Sequence, residues 1–252
     1  IYLSEHQNLT ALPRAGKHRE KFINYFFQFS LLFCSMNLMR SKGKFVSNRD
    51  ETVRLFKNPV LEYFSHIHPI TPVVVYLPVA AYCLYLSYAA INPVNTAMFF
   101  VLGVIIWTIF EYSFHRWAFH YHPKSDTGKR IHFLVHGIHH DYPRDRTRLV
   151  MPLLVSAPLA ILFYFIYQWS FGVYGFAVFG GFIIGYIAYD SIHFATHHMP
   201  MKGKIGKYLK EYHLRHHYND EHTAYGVSNP LWDYVFSTVP PHIKEESREN
   251  SN

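Results

Sequence analysis

YFSHIHPITPVVVYLPVAAYCLYLSYAAINPVNTAMFFVLGVIIWTIF, residues 63–110, runs for 48 positions without an Asp, Glu, Lys or Arg. A second such block, LVMPLLVSAPLAILFYFIYQWSFGVYGFAVFGGFIIGYIAY at 149–189, runs for 41. A helix crossing about 30 Å of hydrocarbon needs about 20 apolar residues. Each block therefore has room for two crossings and a tight turn. Asn92-Pro93 supplies the turn in the first, and Ser170-Phe171-Gly172 in the second. The expected membrane helices lie at 72–91, 94–114, 150–169 and 173–190. Thr71-Pro72 reads as cap and first position of the first helix, and Pro78 and Pro158 are expected to kink theirs. The alternative is a soluble protein with two buried helical hairpins. It is disfavoured because a soluble domain seldom withholds charge over such a length.

The withheld charge is all on one side. The chain has 252 residues and a net charge of +7, and its 24 Lys and Arg fall before residue 71, between 115 and 149, and after 190. Two hairpins place those segments on one face, which the positive-inside rule makes cytosolic. Lipid headgroups account for the excess of cations; no nucleic-acid-binding motif is present, so no nucleic-acid partner is expected. Two cysteines, Cys34 and Cys83, exclude a disulfide framework or a Cys-rich zinc module. The fold expected is all-α, an integral membrane protein with four transmembrane helices in two hairpins under a cytosolic helical cap.

Three segments follow: a polar basic amino-terminal extension over 1–58, a membrane domain over 59–240, and a flexible tail over 241–252. The extension contains one apolar run, Phe22 to Cys34, too short for a confident crossing and without a signal-peptide cleavage site. Met36 or Met39 could be a natural start. The two halves of the membrane domain share a plan: two prolines open each hairpin, an acid precedes a histidine at its exit, and a cluster reading H-x-x-H-H follows 20 or 21 residues later.

Nineteen residues are histidine. Ten form four boxes: His115 and His120; His136, His139 and His140; His193 and His197; His213, His216 and His217. Residues three and four apart share a helix face, so the last three boxes can each converge. His115 and His120 are about 140° apart on an ideal helix; they straddle a helix end or serve different metals. Ten imidazoles exceed the capacity of one ion, so two metals are implied, and neutral imidazole suits iron, zinc, copper or nickel. His6, His18, His66, His68 and His242 read as incidental. His122, His132, His198 and His222 stay open between supporting and surface roles. No H-E-x-x-H is present, which removes the zinc-protease pattern. No Asp, Glu or His lies mid-helix in the apolar blocks, which weakens a metal transporter. Two histidine-held metals at a membrane surface suit oxygen activation, chemistry that breaks an unactivated C–H bond beyond the reach of a side-chain acid or base. Glu111, Asp141 and Asp190 are candidates to orient ligating imidazoles through the second ring nitrogen, the alternative being ordinary helix-end charges.

EYSFHRWAFHYHP (111–123), HFLVHGIHHDYPRDRTRLVMP (132–152), GYIAYDSIHFATHH (185–198) and YHLRHHYNDEHTAYGVSNPLWDYVFST (212–238) resemble the fatty acid hydroxylase superfamily, and within it the fatty acid 2-hydroxylase group. HPITPVVVYLP (68–78) is also similar, and the resemblance covers roughly 50–240. It implies the ten boxed histidines as ligands of two metals, iron expected and zinc possible in purified protein. It also implies O2-dependent hydroxylation at C2 of a long acyl chain, free or in ceramide. The segment after His217 then lines the path by which substrate enters, with Tyr225 and Trp232 as substrate contacts or packing residues. The His-Pro-Gly-Gly of a cytochrome-b-type haem domain does not occur in this sequence, so electrons are expected from a separate redox protein or reductase. Either the cytoplasmic membrane or the endoplasmic reticulum suits the charge pattern. A sterol or carotenoid oxygenase or desaturase on the same scaffold, or a non-enzymatic histidine-rich metal-binding protein, are the alternatives.

Overall fold

The computed structural model describes residues 45–241, which are helical with no strand among them. The apolar run at 22–34, the two candidate start methionines and the tail from 242 onward lie outside the described residues. The helices are α1 (Pro59–Phe64), α2 (Thr71–Ala90), α3 (Pro93–Phe114), α4 (Asp126–His132), α5 (Ile138–Asp141), α6 (Leu153–Phe171), α7 (Gly175–His198), α8 (Lys204–Tyr218) and α9 (Leu231–Val235). Among the described residues three stretches are long and apolar enough to cross a membrane: Thr71–Ala90, Pro93–Phe119 and Leu153–His198.

The third stretch, 46 residues long, is a hairpin and not a rod. Gly172, at φ +54°, ends α6, and a 3₁₀ turn over Gly172–Tyr174 starts the return. A positive φ is a conformation glycine adopts without the Cβ clash of other residues. The rings of Phe163 and Tyr167 on α6 then meet Phe182 on α7 at 4.8 and 5.3 Å. In the first hairpin the Asn92 side chain accepts from the Asn95 amide at 2.9 Å, with Pro93 in the first turn of α3. That is the N-cap and early-proline pattern that starts a helix. At the start of α2 the cap is Ile70 and makes no side-chain cap bond; Thr71 is already helical. The helices run through Pro78 and Pro158 without interruption.

α7 is the hub. It buries thirteen residues, whereas α2 buries Pro72, Tyr76, Ala80, Cys83 and Ser87 along one stripe. Glycines let α3 approach it backbone to backbone. A Cβ added at Gly103 would lie 2.0 Å from the Val178 carbonyl oxygen, and one at Gly181 would lie 2.0 Å from that of Phe100. Close approach through small residues is how apolar helices associate where lipid removes the hydrophobic drive. Aromatic rings fill the remaining space: Trp107 meets Phe182 at 5.0 Å and Tyr186 at 5.3 Å. The outer faces expose Met98, Val101, Ile105, Leu162, Phe165 and Trp169, an apolar surface suited to lipid and costly in water.

α7 extends eight residues past the sequence expectation, to His198, and so carries its histidines on the continuation of an apolar helix. The segment before α1, and α1 itself, dock on α5 and the loop ahead of α6. Arg148, nearly buried, donates to Glu62 Oε1 at 2.6 Å and to the Val53 carbonyl, and the Ser47 amide donates to the Asp141 carbonyl at 2.8 Å. A buried guanidinium with a carboxylate and a carbonyl as partners holds the chain ahead of the bundle against the loop ahead of α6.

Replacing Gly103 with Ala puts a methyl carbon against the α7 backbone. Overpacking of this kind costs about 1–3 kcal/mol. The purified variant should show a lower thermal unfolding midpoint than the parent in the same detergent; an unchanged midpoint would mean that α3 and α7 are not in backbone contact.

Candidate metal centre

The exits of the apolar helices set the site. α3 does not end as an α-helix: it widens into one π turn, His115–Phe119, and the His120 amide reaches back five residues to the His115 carbonyl at 3.2 Å. Five residues on an α-helix would separate the two rings by about 140°. One i→i+5 turn brings them into line, and their Nε2 atoms stand 3.3 Å apart. Of the two readings of this pair, both rings therefore sit at one helix end and in one cluster. A second π turn, Phe133–Gly137, leads from α4 into α5 and presents His136.

The H-x-x-H-H clusters divide in an unexpected way. In the first, His136 and His140 are four apart and their Nε2 atoms lie 2.9 Å from each other. His139, between them in sequence, turns away to His193, Nε2 to Nε2 at 2.9 Å. In the second, on α8, His213 and His217 stay together at 3.0 Å, while His216 crosses to His120 at 3.0 Å. The result is two sets of five: His115, His120, His136, His140 and His216; and His139, His193, His197, His213 and His217. Within each set the potential ligand atoms lie within 4.8 Å of one another. Each half of the chain thus lends one histidine to the other's set. The neighbours in H-H are about 100° apart on a helix, so they cannot face the same point.

These residues fit metal ions. Eight of the ten imidazoles are buried and the other two, His120 and His197, are partly so. The convergent atoms are nitrogens, with no carboxylate in either set. Two nitrogens bound at a right angle to one ion at about 2.1 Å stand about 3 Å apart, the spacing observed. Burial, joined by neighbouring imidazoles, pushes His139 down to about 3 and His136, His140, His213 and His217 well below the ordinary histidine value of 6.5. The neutral form that results is the one that ligates.

Two of the rings, His115 and His216, are oriented by backbone carbonyls. His115 Nδ1 donates to the Tyr225 carbonyl and His216 Nδ1 to that of Thr223, both at 2.6 Å. This leaves each Nε2 lone pair facing its set. Glu111 instead accepts the amides of Val227 and Ser228, at 2.8 and 2.7 Å, and the Ser228 hydroxyl. Asp190 is buried on α7 among Tyr76, Tyr186 and Tyr189 and bonds to no imidazole among the described residues. The Asp141 carbonyl serves Ser47. Tyr225 is buried against the rings of His115, His120 and His216, 5.4–5.8 Å away, and so packs on the first set. The Trp232 indole donates to Thr108 Oγ1 at 3.0 Å, tying α9 to α3. His122 lies near His132 and His222, with rings 5.9 and 6.1 Å away, outside both sets. His66 joins Glu62 and Thr147.

Sequence reasoning missed Asp233. It is fully buried and accepts the Tyr225 and Gly226 amides at 2.9 and 2.7 Å and the Thr238 hydroxyl at 2.7 Å. Burial raises its pKa against the pull of those bonds. A lone acid inside the apolar run L-W-D-Y-V-F was the available signal.

The sequence profile of the fatty acid hydroxylase family matches residues 100–238. Dihydroceramide fatty acyl 2-hydroxylase FAH1 of Arabidopsis thaliana is 38% identical over 169 residues, which are 66% of this chain and 71% of that protein. Ceramide very long chain fatty acid hydroxylase SCS7 of Saccharomyces cerevisiae is 38% identical over 169 residues, covering 66% of this chain and 44% of that one. A solved structure of full-length scs7p, in which only the hydroxylase domain is visible, superposes with a TM-score of 0.71 at 35% identity, over 80% of this chain and 75% of that one.

The depressed histidines set the direction of an acid response. Their pKa values lie below the unfolded value in the folded chain, so below pH 6.5 the unfolded state takes up protons that the folded sites refuse. Stability should be flat above about pH 6.5 and fall steadily below it, since histidine titrates near that value. A thermal midpoint that rises between pH 6.5 and 4.5 would contradict buried neutral imidazoles.

Proposed function

This chain belongs to the fatty acid hydroxylase family, and on that premise we propose that it is the hydroxylase of C2 in long-chain fatty acyl groups, carried in ceramide or a related sphingolipid. The observation that carries the reading is the position of the two histidine sets at the ends of apolar helices. His115 follows directly on α3, and His193 and His197 stand on the last turns of α7. C2 adjoins the polar carbonyl of an acyl chain, so it sits at the depth where hydrocarbon gives way to headgroup. The FAH1 and SCS7 relatives are named as hydroxylases of ceramide or dihydroceramide acyl chains.

His115, His120, His136, His140 and His216 would hold one ion, and His139, His193, His197, His213 and His217 the other. Bound there, iron would supply the activation of O2 that inserts one oxygen atom into a C–H bond, the second atom leaving as water with two electrons from a redox partner and two protons from solvent. The chain's own work is placement and dryness. Phe119 stacks on His136 with ring centres 4.6 Å apart, and Tyr189 lies 5.6 Å from His193, so aromatic rings seal each set on one side. The Thr223 and Tyr225 carbonyls hold their imidazoles in one orientation. The apolar outer faces of α2, α3 and α6 let the acyl chain stay in lipid while its head reaches the histidines.

For topology we read four crossings, α2, α3, α6 and α7, with the histidine cap on the cytosolic side. The uncharged turns at Asn92 and Gly172 and the basic segments at the other end support this. A reporter at Asn92 or Phe171 should lie across the membrane from one at the carboxyl end; all three on one side would remove the hairpins. For activity, cells that express the chain with a competent reductase should accumulate 2-hydroxyacyl sphingolipids by mass spectrometry. His217→Ala should abolish them, a loss of at least about 100-fold, since removing a ligand costs more than the roughly 10–100-fold of losing a ligand's outer partner, while the protein still accumulates in the membrane. No 2-hydroxyacyl species from the parent chain with iron bound would overturn the proposal.

A further inference from the structure

The two histidine sets are supported differently. Residues 223–228 form a strap across the first set. Its carbonyls at Thr223 and Tyr225 take the Nδ1 protons of His216 and His115. Its amides point the other way, into two carboxylates: those of Tyr225 and Gly226 into Asp233, and those of Val227 and Ser228 into Glu111. Four consecutive amides are thus held by acids from two different helices, α9 and α3. The strap has no slack. A Cβ at Gly226 would lie 2.1 Å from the Asn229 carbonyl oxygen and 2.9 Å from Asp233 Oδ2, and Ala224 sits at φ +57° with its amide on the Thr238 carbonyl.

The second set has no counterpart. Nδ1 of His139, His193, His213 and His217 meets no hydrogen-bond partner among the described residues, a condition shared in the first set by His140. An imidazole whose second nitrogen has no partner is less firmly oriented and is a poorer donor. Loss of such an outer partner lowers metal affinity about 10–100-fold.

We propose that Glu111 and Asp233 are positioning residues for the first set, acting through the strap on His115 and His216, and that the first set therefore holds its metal ion more tightly than the second. This rests on the reading of both sets as metal sites. The hydrogen bonds of both acids go to the strap and to the Ser228 and Thr238 hydroxyls. Their oxygens are taken up there and neither is a member of the set, so the donor atoms of the first set are all nitrogens, like those of the second. The difference between the sites is one of rigidity and not of ligand type.

The test is release of zinc from the full chain in lipid nanodiscs, loaded with Zn2+ and challenged with rising EDTA, the metal retained being counted by elemental mass spectrometry. The parent should lose its two ions in two steps of one ion each, at chelator concentrations about 10-fold or more apart. Asp233→Asn and Glu111→Gln each remove one acceptor oxygen from the strap. Either should move the later step toward the earlier one and leave the earlier step in place. A merely structural role would loosen both sites, so a parallel shift of both steps overturns the proposal, as does a variant with an unmoved later step. If neither variant accumulates, the parent decides: release of both ions in one step overturns the inequality. A parent that never holds two ions contradicts the two-metal reading itself, a separate failure.

Discussion

Ten imidazoles brought into two groups, with no carboxylate among the converging atoms, impose the constraint that the rest of the molecule obeys. Buried together as cations they would repel one another, so they must be neutral. Neutral rings with nitrogens about 3 Å apart need a cation at the centre or a rigid frame around them. The frame is visible. The π turn after α3 aligns His115 with His120, α7 carries His193 and His197 out of the bundle, and α8 supplies the last three rings. The glycine contacts between α3 and α7 fix how far apart the two helix exits stand. Packing in the apolar bundle and geometry at the histidine sets are therefore one problem.

The interleaving of the sets follows from helix geometry. In H-x-x-H-H the first and last residues share a face, and the middle histidine points about 100° from the last and about 60° from the first, on the first residue's other side. When two such segments lie side by side, each keeps two rings and sends one across. His139 and His216 are the residues exchanged. This makes the two halves of the domain interdependent: neither half completes a site alone. It also gives a reason for the lock that Arg148 and Glu62 place between the loop ahead of α6 and α1, since α5 and its histidines follow the position of that loop.

Much of this was legible in the sequence, and the reasons differ by feature. The apolar helices were readable because water-exposed folds rarely leave 48 consecutive residues uncharged, and Asn92-Pro93 marked its turn by local chemistry alone. The ten histidines were readable from spacing. Their partition was not, because it depends on a π turn that no propensity announces and on the relative rotation of α5 and α8. The orienting groups were hidden more deeply. Sequence favoured Glu111, Asp141 and Asp190 because carboxylates commonly hold ligating imidazoles, whereas for His216 and His115 the carbonyls of Thr223 and Tyr225 do so. A backbone carbonyl leaves no mark in the residue alphabet. Asp233 was visible only as an acid out of place in an apolar turn.

The arrangement is decided most directly by element-specific anomalous diffraction from crystals of the metal-loaded chain. Two ions per chain are expected, one among the Nε2 atoms of His115, His120, His136, His140 and His216, the other among those of His139, His193, His197, His213 and His217. A single ion, or two ions divided between the histidines of 115–140 and those of 193–217, would contradict the exchange of His139 and His216 on which the structure of the centre depends.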